Sequence, residues 1–241
     1  MAPGGPGPRD ASDAPVRALA VYAHPDDPDV ACGGTISRWV AAGARVEVCI
    51  CCEGDKGSRD PAVRSAQLVA LRREEAQRAA IALGVARQHW LGYADGEIED
   101  TAELRHRLVS LVREVRPDTV LAPDPTAVFF GHQYVNHRDH RAVGWAVLDA
   151  VAPAAASPRY FPDAGLAHQV SQLYLSGTLE PDRWVDIGPW LDAKVAAVGC
   201  HVSQVGEGPA WLHDAVADQA REAGVPAGLA YAEAFRWVLL G

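Results

Sequence analysis

The sequence predicts an α/β fold: a Rossmann-like, mostly parallel sheet flanked by helices, built as a single domain. Three observations carry that reading. Short β-branched or apolar runs alternate with longer helical patterns, the signature of βαβ units around a parallel sheet. The composition, 49% hydrophobic and 22% charged, fits a packed core. At 241 residues, with no internal repeat and no change of composition after residue 16, the chain needs only one such core.

Residues 1–15, MAPGGPGPRDASDAP, are rich in proline and glycine and carry no apolar period. They cannot offset the entropy of being ordered, so they are expected to form a disordered tail, with the domain spanning 16–241. The first strand is VRALAVYA, followed by a loop rich in Pro, Asp and Gly and a helix through TISRWVAAG that stops at Gly43. RVEVCIC is the second strand. After the polar loop EGDKGSRDP, a long helix over 62–83 places Leu68, Leu71, Ala76, Ala79 and Leu83 near helical spacing, with Gly84 as its stop. QHWLG reads as a short strand, ELRHRLVSLVREV as a helix, and TVLAP as the next strand. A long loop over 124–137 precedes the helix DHRAVGWAVLDAV. The remainder holds the strand SQLYLS, the short run WVDI, helical stretches at PWLDAKVAAVGCHV and WLHDAVADQAREAG, and a final EAFRWVLL. Trp39, Trp145 and Trp190 sit in amphipathic helical patterns and are assigned to core packing.

The formal net charge of −9 offers no basic face to replace the counterions of DNA or RNA, so nucleic acid is excluded as a partner. No apolar run reaches the ~18 residues that a membrane span needs, and the N-terminus lacks a secretory pattern. A cytoplasmic location is expected. Five cysteines without paired spacing, three of them in VEVCICC, read as small buried hydrophobes in a reduced compartment. An assembly of several copies is compatible with the sequence, which does not set its number.

In an open α/β sheet the ligand site lies beyond the carboxyl ends of the strands. That rule gathers four polar loops, 24–29, 53–60, 92–96 and 124–140, on one rim. The first carries His24, Pro25, Asp26 and Asp27. Zinc accepts imidazole nitrogen and carboxylate oxygen, and a rigid loop at a strand end can aim His24 and Asp27 at one point. Two adjacent carboxylates suggest division of labour, one binding metal and the other accepting a proton. The last loop ends in His137, Arg138, Asp139 and His140. Residues three apart on a helix share a face, so His137 and His140 can enter one pocket. One of them can complete the metal site; the other, held by Asp139 in a fixed tautomer or kept protonated, can stabilise an oxyanion. Two histidines and one carboxylate leave a position open for water, the ligand count of a catalytic rather than a structural zinc.

With these motifs the sequence closely resembles the LmbE/PIG-L family of zinc-dependent de-N-acetylases. The resemblance rests on AHPDD at 23–27 continuing through CGGTISRW, and on a segment of the form HxDHRAxG at 137–144. Between them GDKGS, RREEAQRAAIALG and LGYADGEI follow in the family's order, and DAKVAAVGCHVSQ and EAFRW match its ending. It implies zinc bound by His24, Asp27 and His140, with ferrous iron suited to the same donors. Asp26 would be the general base, and His137 the electrostatic partner of the tetrahedral intermediate. Asp139 stands behind His137, placed to hold its ring and raise its pKa. Arg72 and Asp95 would contact substrate. His201 is read as a satisfied core histidine, while His132, in the long loop, is a candidate pocket residue.

The expected reaction is hydrolysis of an N-acetyl or other N-acyl group from a small amino-sugar-type substrate. The alternatives are an amidase for a larger acyl group or a thiol conjugate, and a metal- or sugar-binding module without catalysis. A nucleotide-binding Rossmann protein is disfavoured, because neither GxGxxG nor a P-loop follows the first strand.

Overall fold

The structure, a computed structural model, describes residues 9–10, 14–208 and 210–240. It opens with β1 (Arg9–Asp10), β2 (Arg17–Tyr22), α1 (Asp27–Ala41), β3 (Arg45–Cys52) and α2 (Ser65–Leu83). β4 (Arg87–Tyr93), α3 (Ala102–Val115) and β5 (Thr119–Pro123) complete the first half. A small hairpin, β6 (Phe129–Phe130) and β7 (Tyr134–Val135), interrupts the long loop before α4 (Arg138–Asp149). Then come β8 (Gln172–Ser176), β9 (Arg183–Asp186), α5 (Leu191–Gly199), α6 (Val202–Val205), α7 (Trp211–Gly224) and β10 (Ala232–Leu239).

Among the described residues the main sheet runs β1-β9-β10-β8-β5-β2-β3-β4. The five strands from β8 to β4 are parallel, and β10 is antiparallel to both of its neighbours. The inner parallel strands β2, β3 and β5 are covered on both faces, which is why β2 and β3 read as nearly unbroken apolar runs. Alternate residues serve opposite layers. Ala18, Ala20 and Tyr22 pack with Ile36 and Trp39 of α1, while Leu19, Val21 and Ala23 pack with Leu108 of α3 and Val143 of α4. Cys49 and Cys51 join the second layer as free thiols, as expected of small buried hydrophobes.

Three expectations need adjustment. The disordered tail falls, for residues 1–8 and 11–13, outside the described residues; Arg9–Asp10 instead pair in parallel with Arg183 and Trp184 at the sheet edge. On α2 the inward face holds Leu68, Arg72, Glu75, Ala76, Ala79 and Leu83, whereas Leu71 is 42% exposed. Trp39 is buried as expected, but Trp145 is 46% exposed on α4, where it packs over no second layer.

The chain leaves β2 for β3 and β4 on one side and returns for β5 and β8 on the other. The strand order therefore reverses between β2 and β5, the place where open α/β sheets form a ligand crevice. Helix α1, which starts in that crevice, is broken at Cys32 (φ −146°, ψ 23°). The break frees backbone donors at Gly34 and Thr35, and the Glu233 carboxylate from β10 accepts both, at 3.0 and 2.7 Å. Lys194 of α5, 2.6 Å from Glu233, balances the buried charge. The first turn of α1 is thereby set at its own angle against the sheet.

On the other side of the crevice α4 lies close to the end of β5. A Cβ at Gly144 would meet the Pro123 carbonyl oxygen at 2.6 Å and the Pro125 ring at 2.9 Å. Gly144→Ala is therefore expected to overpack this contact, at about 1–3 kcal/mol, and to lower the Tm by several degrees. Thermal unfolding checks it, and an unchanged Tm would show that α4 moves freely over β5.

Candidate active site

β2 ends at Tyr22, and two residues later His24 turns into the crevice. Its backbone N–H donates to Asp27 Oδ2 at 2.7 Å, which folds the turn so that both side chains face one point. His140, on the first turn of α4, reaches the same point from the far side of the switch. His24 Nδ1 lies 3.2 Å from Asp27 Oδ2 and 3.1 Å from His140 Nε2, and His140 Nε2 lies 3.1 Å from Asp27 Oδ1. A tetrahedral ion with bonds of about 2.0–2.1 Å separates its ligand atoms by about 3.3 Å, so the two ring nitrogens and the Asp27 carboxylate, which meets one nitrogen with each oxygen, lie at the spacing of such a site.

The protons on the two rings decide whether these atoms are ligands. Asn136 donates from Nδ2 to the Ala127 carbonyl at 2.8 Å, which turns its Oδ1 toward His140 Nδ1 at 3.0 Å. His140 Nδ1 must donate there, leaving the lone pair on Nε2. His24 Nε2 faces Asp95 Oδ1 at 3.2 Å and Asp139 Oδ2 at 3.6 Å, so its proton sits on that side and Nδ1 keeps the lone pair. Both inward nitrogens are thus free to bind a cation. The field agrees. Burial disfavours a charged imidazole at His24 and His140, but the Asp27 carboxylate outweighs it and raises both pKa values. Burial likewise opposes charge on Asp27, and the two histidines hold its pKa well below the ordinary range. A point that attracts protons this strongly attracts a divalent cation for the same reason.

Asp26 stays out of the donor set. Its Oδ1 accepts from Arg72 Nη2 at 2.8 Å, and Arg72, buried on α2, also donates from Nη1 to the Gly54 carbonyl at 3.2 Å. Gly54 has φ +64°, and a Cβ there would overlap the Arg72 guanidinium, which accounts for the first glycine of GDKGS. Arg72 therefore stands behind Asp26. Asp95 is fixed through its backbone, which donates to Asp55 Oδ1 and accepts from Lys56 Nζ, and its carboxylate aims at His24. The His24 contact holds the pKa of Asp95 down against burial.

Asp139 is fully buried and accepts from the backbone N–H groups of Gly96 and Ile98 at 2.6 and 3.3 Å. It faces His24 more closely than His137, whose Nδ1 is 3.9 Å away. His137 Nδ1 instead accepts the Asp139 backbone N–H at 3.2 Å. Asp139 does raise the pKa of His137 as expected, but burial and the neighbouring His24 outweigh it and the net shift is downward. With Nδ1 accepting, the neutral ring carries its proton on Nε2.

Two other histidines are settled by position. His201, fully buried, pairs through Nε2 with Asp29 of α1 at 2.7 Å, so it is a core group as expected but satisfied on one side only, its Nδ1 having no hydrogen-bond partner among the described residues. His132 is exposed, and it is not among the residues lining the cavity beside the centre.

Residues 19–151 match the family model described as PIG-L, GlcNAc-PI de-N-acetylase. The chain belongs to the PIG-L family. It is 34% identical over 194 residues to the diacetylchitobiose deacetylase of Thermococcus kodakarensis, covering 79% of this chain and 71% of that one. It is 31% identical over 257 residues to the 1D-myo-inositol 2-acetamido-2-deoxy-α-D-glucopyranoside deacetylase of Segniliparus rotundus, covering 80% and 78%. The structure of N,N'-diacetylchitobiose deacetylase from Pyrococcus horikoshii, complexed with its inhibitor MPG, superposes with a TM-score of 0.84 at 29% identity. That match covers 93% of this chain and 84% of the other.

The PIG-L match contains every candidate site residue from His24 to His140. It also contains Asn136, which sequence reasoning missed. The available signal was an amide side chain two residues before the helix α4, next to the His137 motif. Removing its carbonyl frees the His140 ring and lets its proton move inward. Asn136→Ala is expected to weaken metal affinity about 10–100-fold. Competition titration with a chromophoric chelator reads this directly; an unchanged affinity would mean that the tautomer is fixed elsewhere.

Proposed function

We propose that this chain is a metal-dependent amide hydrolase that removes an N-acyl group from a small amino-sugar-type substrate. The observation that carries this is the pairing of three inward donor atoms with a fourth side chain, Asp26, held beside them by Arg72 and left out of the set. A module that only bound metal or sugar has no chemical need for that carboxylate. The named activities of the Thermococcus, Segniliparus and Pyrococcus relatives support the same reaction.

His24 through Nδ1, His140 through Nε2 and Asp27 through its carboxylate would hold the ion. Zinc there, or ferrous iron, supplies a Lewis acid that polarises an amide carbonyl and lowers the pKa of water toward about 7. Asp26 takes the proton from the attacking water and returns it to the departing amine. Arg72 holds the Asp26 carboxylate in direction and place, and its two hydrogen bonds keep that carboxylate from swinging in as a further ligand. His137 offers its Nε2–H to the developing oxyanion, a contribution on the order of 3 kcal/mol for one pre-oriented donor. Asp95 and Asp139 orient His24. The proposed roles of Arg72 and Asp95, both buried, thus differ from the substrate contacts that the family resemblance implied. Among the described residues no helix is long and apolar enough to cross a membrane.

Asp26→Asn and His140→Ala are expected to fail differently. The first should keep one metal per chain and lose a hundredfold or more in turnover; the second should lose the metal. Elemental analysis beside an amine-release assay distinguishes them, and equal metal loss in both would mean that Asp26 is itself a ligand. Because His137 acts as a neutral donor, His137→Gln, which keeps an N–H, should retain more turnover than His137→Ala at equal metal content. Equal loss in the two variants would show that His137 transfers a proton instead.

A further inference from the structure

Among the described residues, a half-open cavity of about 430 Å³ leads away from the three donors. It begins at Asp27, Asn136 and His140 and continues between α1 and the wall formed by α7 and β10. Val30 and Ala31 line one side, Ala223 and Ala234 the other, and Phe130 of the hairpin covers it. Asp26, Arg72, Asp95 and His137 are absent from its walls, so the proton-handling groups serve another side of the centre.

Most of the buried polar groups lining this cavity are spent on one another, and Gln219 and Tyr134, both exposed, also line it. Tyr22 and Ser176 share a hydrogen bond of 2.8 Å, and Ser176 also reaches the Ala122 carbonyl. Lys194 and Glu233 are paired, and Glu233 also holds the α1 break. The Thr178 hydroxyl accepts from the Glu180 backbone. A second sugar would leave its hydroxyls short of partners here, whereas an alkyl chain loses none and gains burial.

The chemistry of amide hydrolysis assigns the occupant. At the tetrahedral carbon one bond goes to the attacking oxygen, one to the former carbonyl oxygen, and one to nitrogen; the base and donor groups attend to these three. The fourth substituent, the acyl chain, must leave on the remaining side. A methyl group, about the size of a water molecule at ~30 Å³, would leave most of the cavity unfilled.

We propose, on the amide-hydrolase reading above, that this cavity receives the substrate's acyl chain and that N-acyl amino sugars with chains of hexanoyl to octanoyl size are cleaved in preference to acetyl. Water adds across the C–N bond: its hydroxyl joins the acyl carbon to give a medium-chain fatty acid, and its proton goes to the free amine.

The test compares N-acetyl, N-butyryl, N-hexanoyl and N-octanoyl glucosamine with the zinc-loaded full chain, reading released amine. Each added methylene should raise kcat/KM by about threefold to fourfold until the cavity is filled. Octanoate should bind at least tenfold more tightly than acetate in calorimetry. Ala223→Phe and Ala234→Leu, which fill the cavity from different elements, should each lower the octanoyl-to-acetyl ratio of kcat/KM by tenfold or more. A flat or falling series alongside good cleavage of the acetyl compound overturns the acyl-chain assignment and leaves the hydrolase reading standing. A rising series that neither filling variant alters also overturns it, because the chain then lies elsewhere. Failure to cleave any of the four overturns the hydrolase reading and this assignment with it.

Discussion

An imidazole has one proton for two nitrogens when neutral, and this site depends on where His24 and His140 put theirs. Each ring must turn a lone pair inward, so each needs a partner outside that only accepts. Asp95 and Asp139 serve His24, and Asn136 serves His140. These partners are themselves fixed by hydrogen bonds: Asp139 by the backbone of Gly96 and Ile98, Asn136 by the carbonyls of Ala127 and Val128, and the Asp95 backbone by the side chains of Asp55 and Lys56. Four loops from four strand ends are thus tied to two rings. A shift in any loop would reach the donor set as a change of tautomer.

The fold supports that arrangement at the cost of buried charge. Glu233 with Lys194 and Arg72 with Asp26 are ion pairs that a more apolar interior of equal volume would match or exceed in stability. What they give is direction. Glu233 accepts the two donors freed at the α1 break, so the turn bearing Asp27 is not obliged to follow the rest of the helix. Arg72 fixes one carboxylate beside another without letting both bind the same ion. Both pairs connect elements distant in sequence, which makes the geometry of the site a property of the whole sheet.

Much of this was legible in the sequence because it follows from local pattern. The strands and most helices are placed by hydrophobic period, and the paired motifs at 24–27 and 137–140 put three donors at adjacent strand ends. Less legible were features in which chemistry overrode the period. On α2 the spacing points Leu71 inward, yet the buried positions are Arg72 and Glu75, since their partners, Asp26 and Ser203, lie on other elements. A charge on the inward face of a helix carries the information, but only tertiary structure says what it meets. The role of Asn136 depends on two carbonyls that sequence does not bring together. Asp139 illustrates the converse: adjacency to His137 in sequence suggested a buttress, whereas helix geometry turned its carboxylate toward His24 and left the backbone N–H to fix His137.

The residues that do the chemistry and the residues that shape the cavity come from different parts of the chain. Every proposed donor, base and orienting group lies between His24 and His140, inside the segment matching the family model at 19–151. The far wall of the cavity comes from 176–234, on β8, α5, α7 and β10, beyond that segment. Amide hydrolysis can therefore be inferred from the first part of the chain with little reference to the second. On the proposed assignment the choice of substrate cannot, because the alanines of α7 and β10 would set the room for the acyl chain, and none of the proposed metal ligands constrains them. The antiparallel strand β10 joins the two parts: its Glu233 holds the α1 break that aims Asp27, and its Ala234, one residue on, faces the cavity. A change in this strand that altered the cavity would also act on the centre, so substrate choice here is free to vary at α7 and constrained at β10.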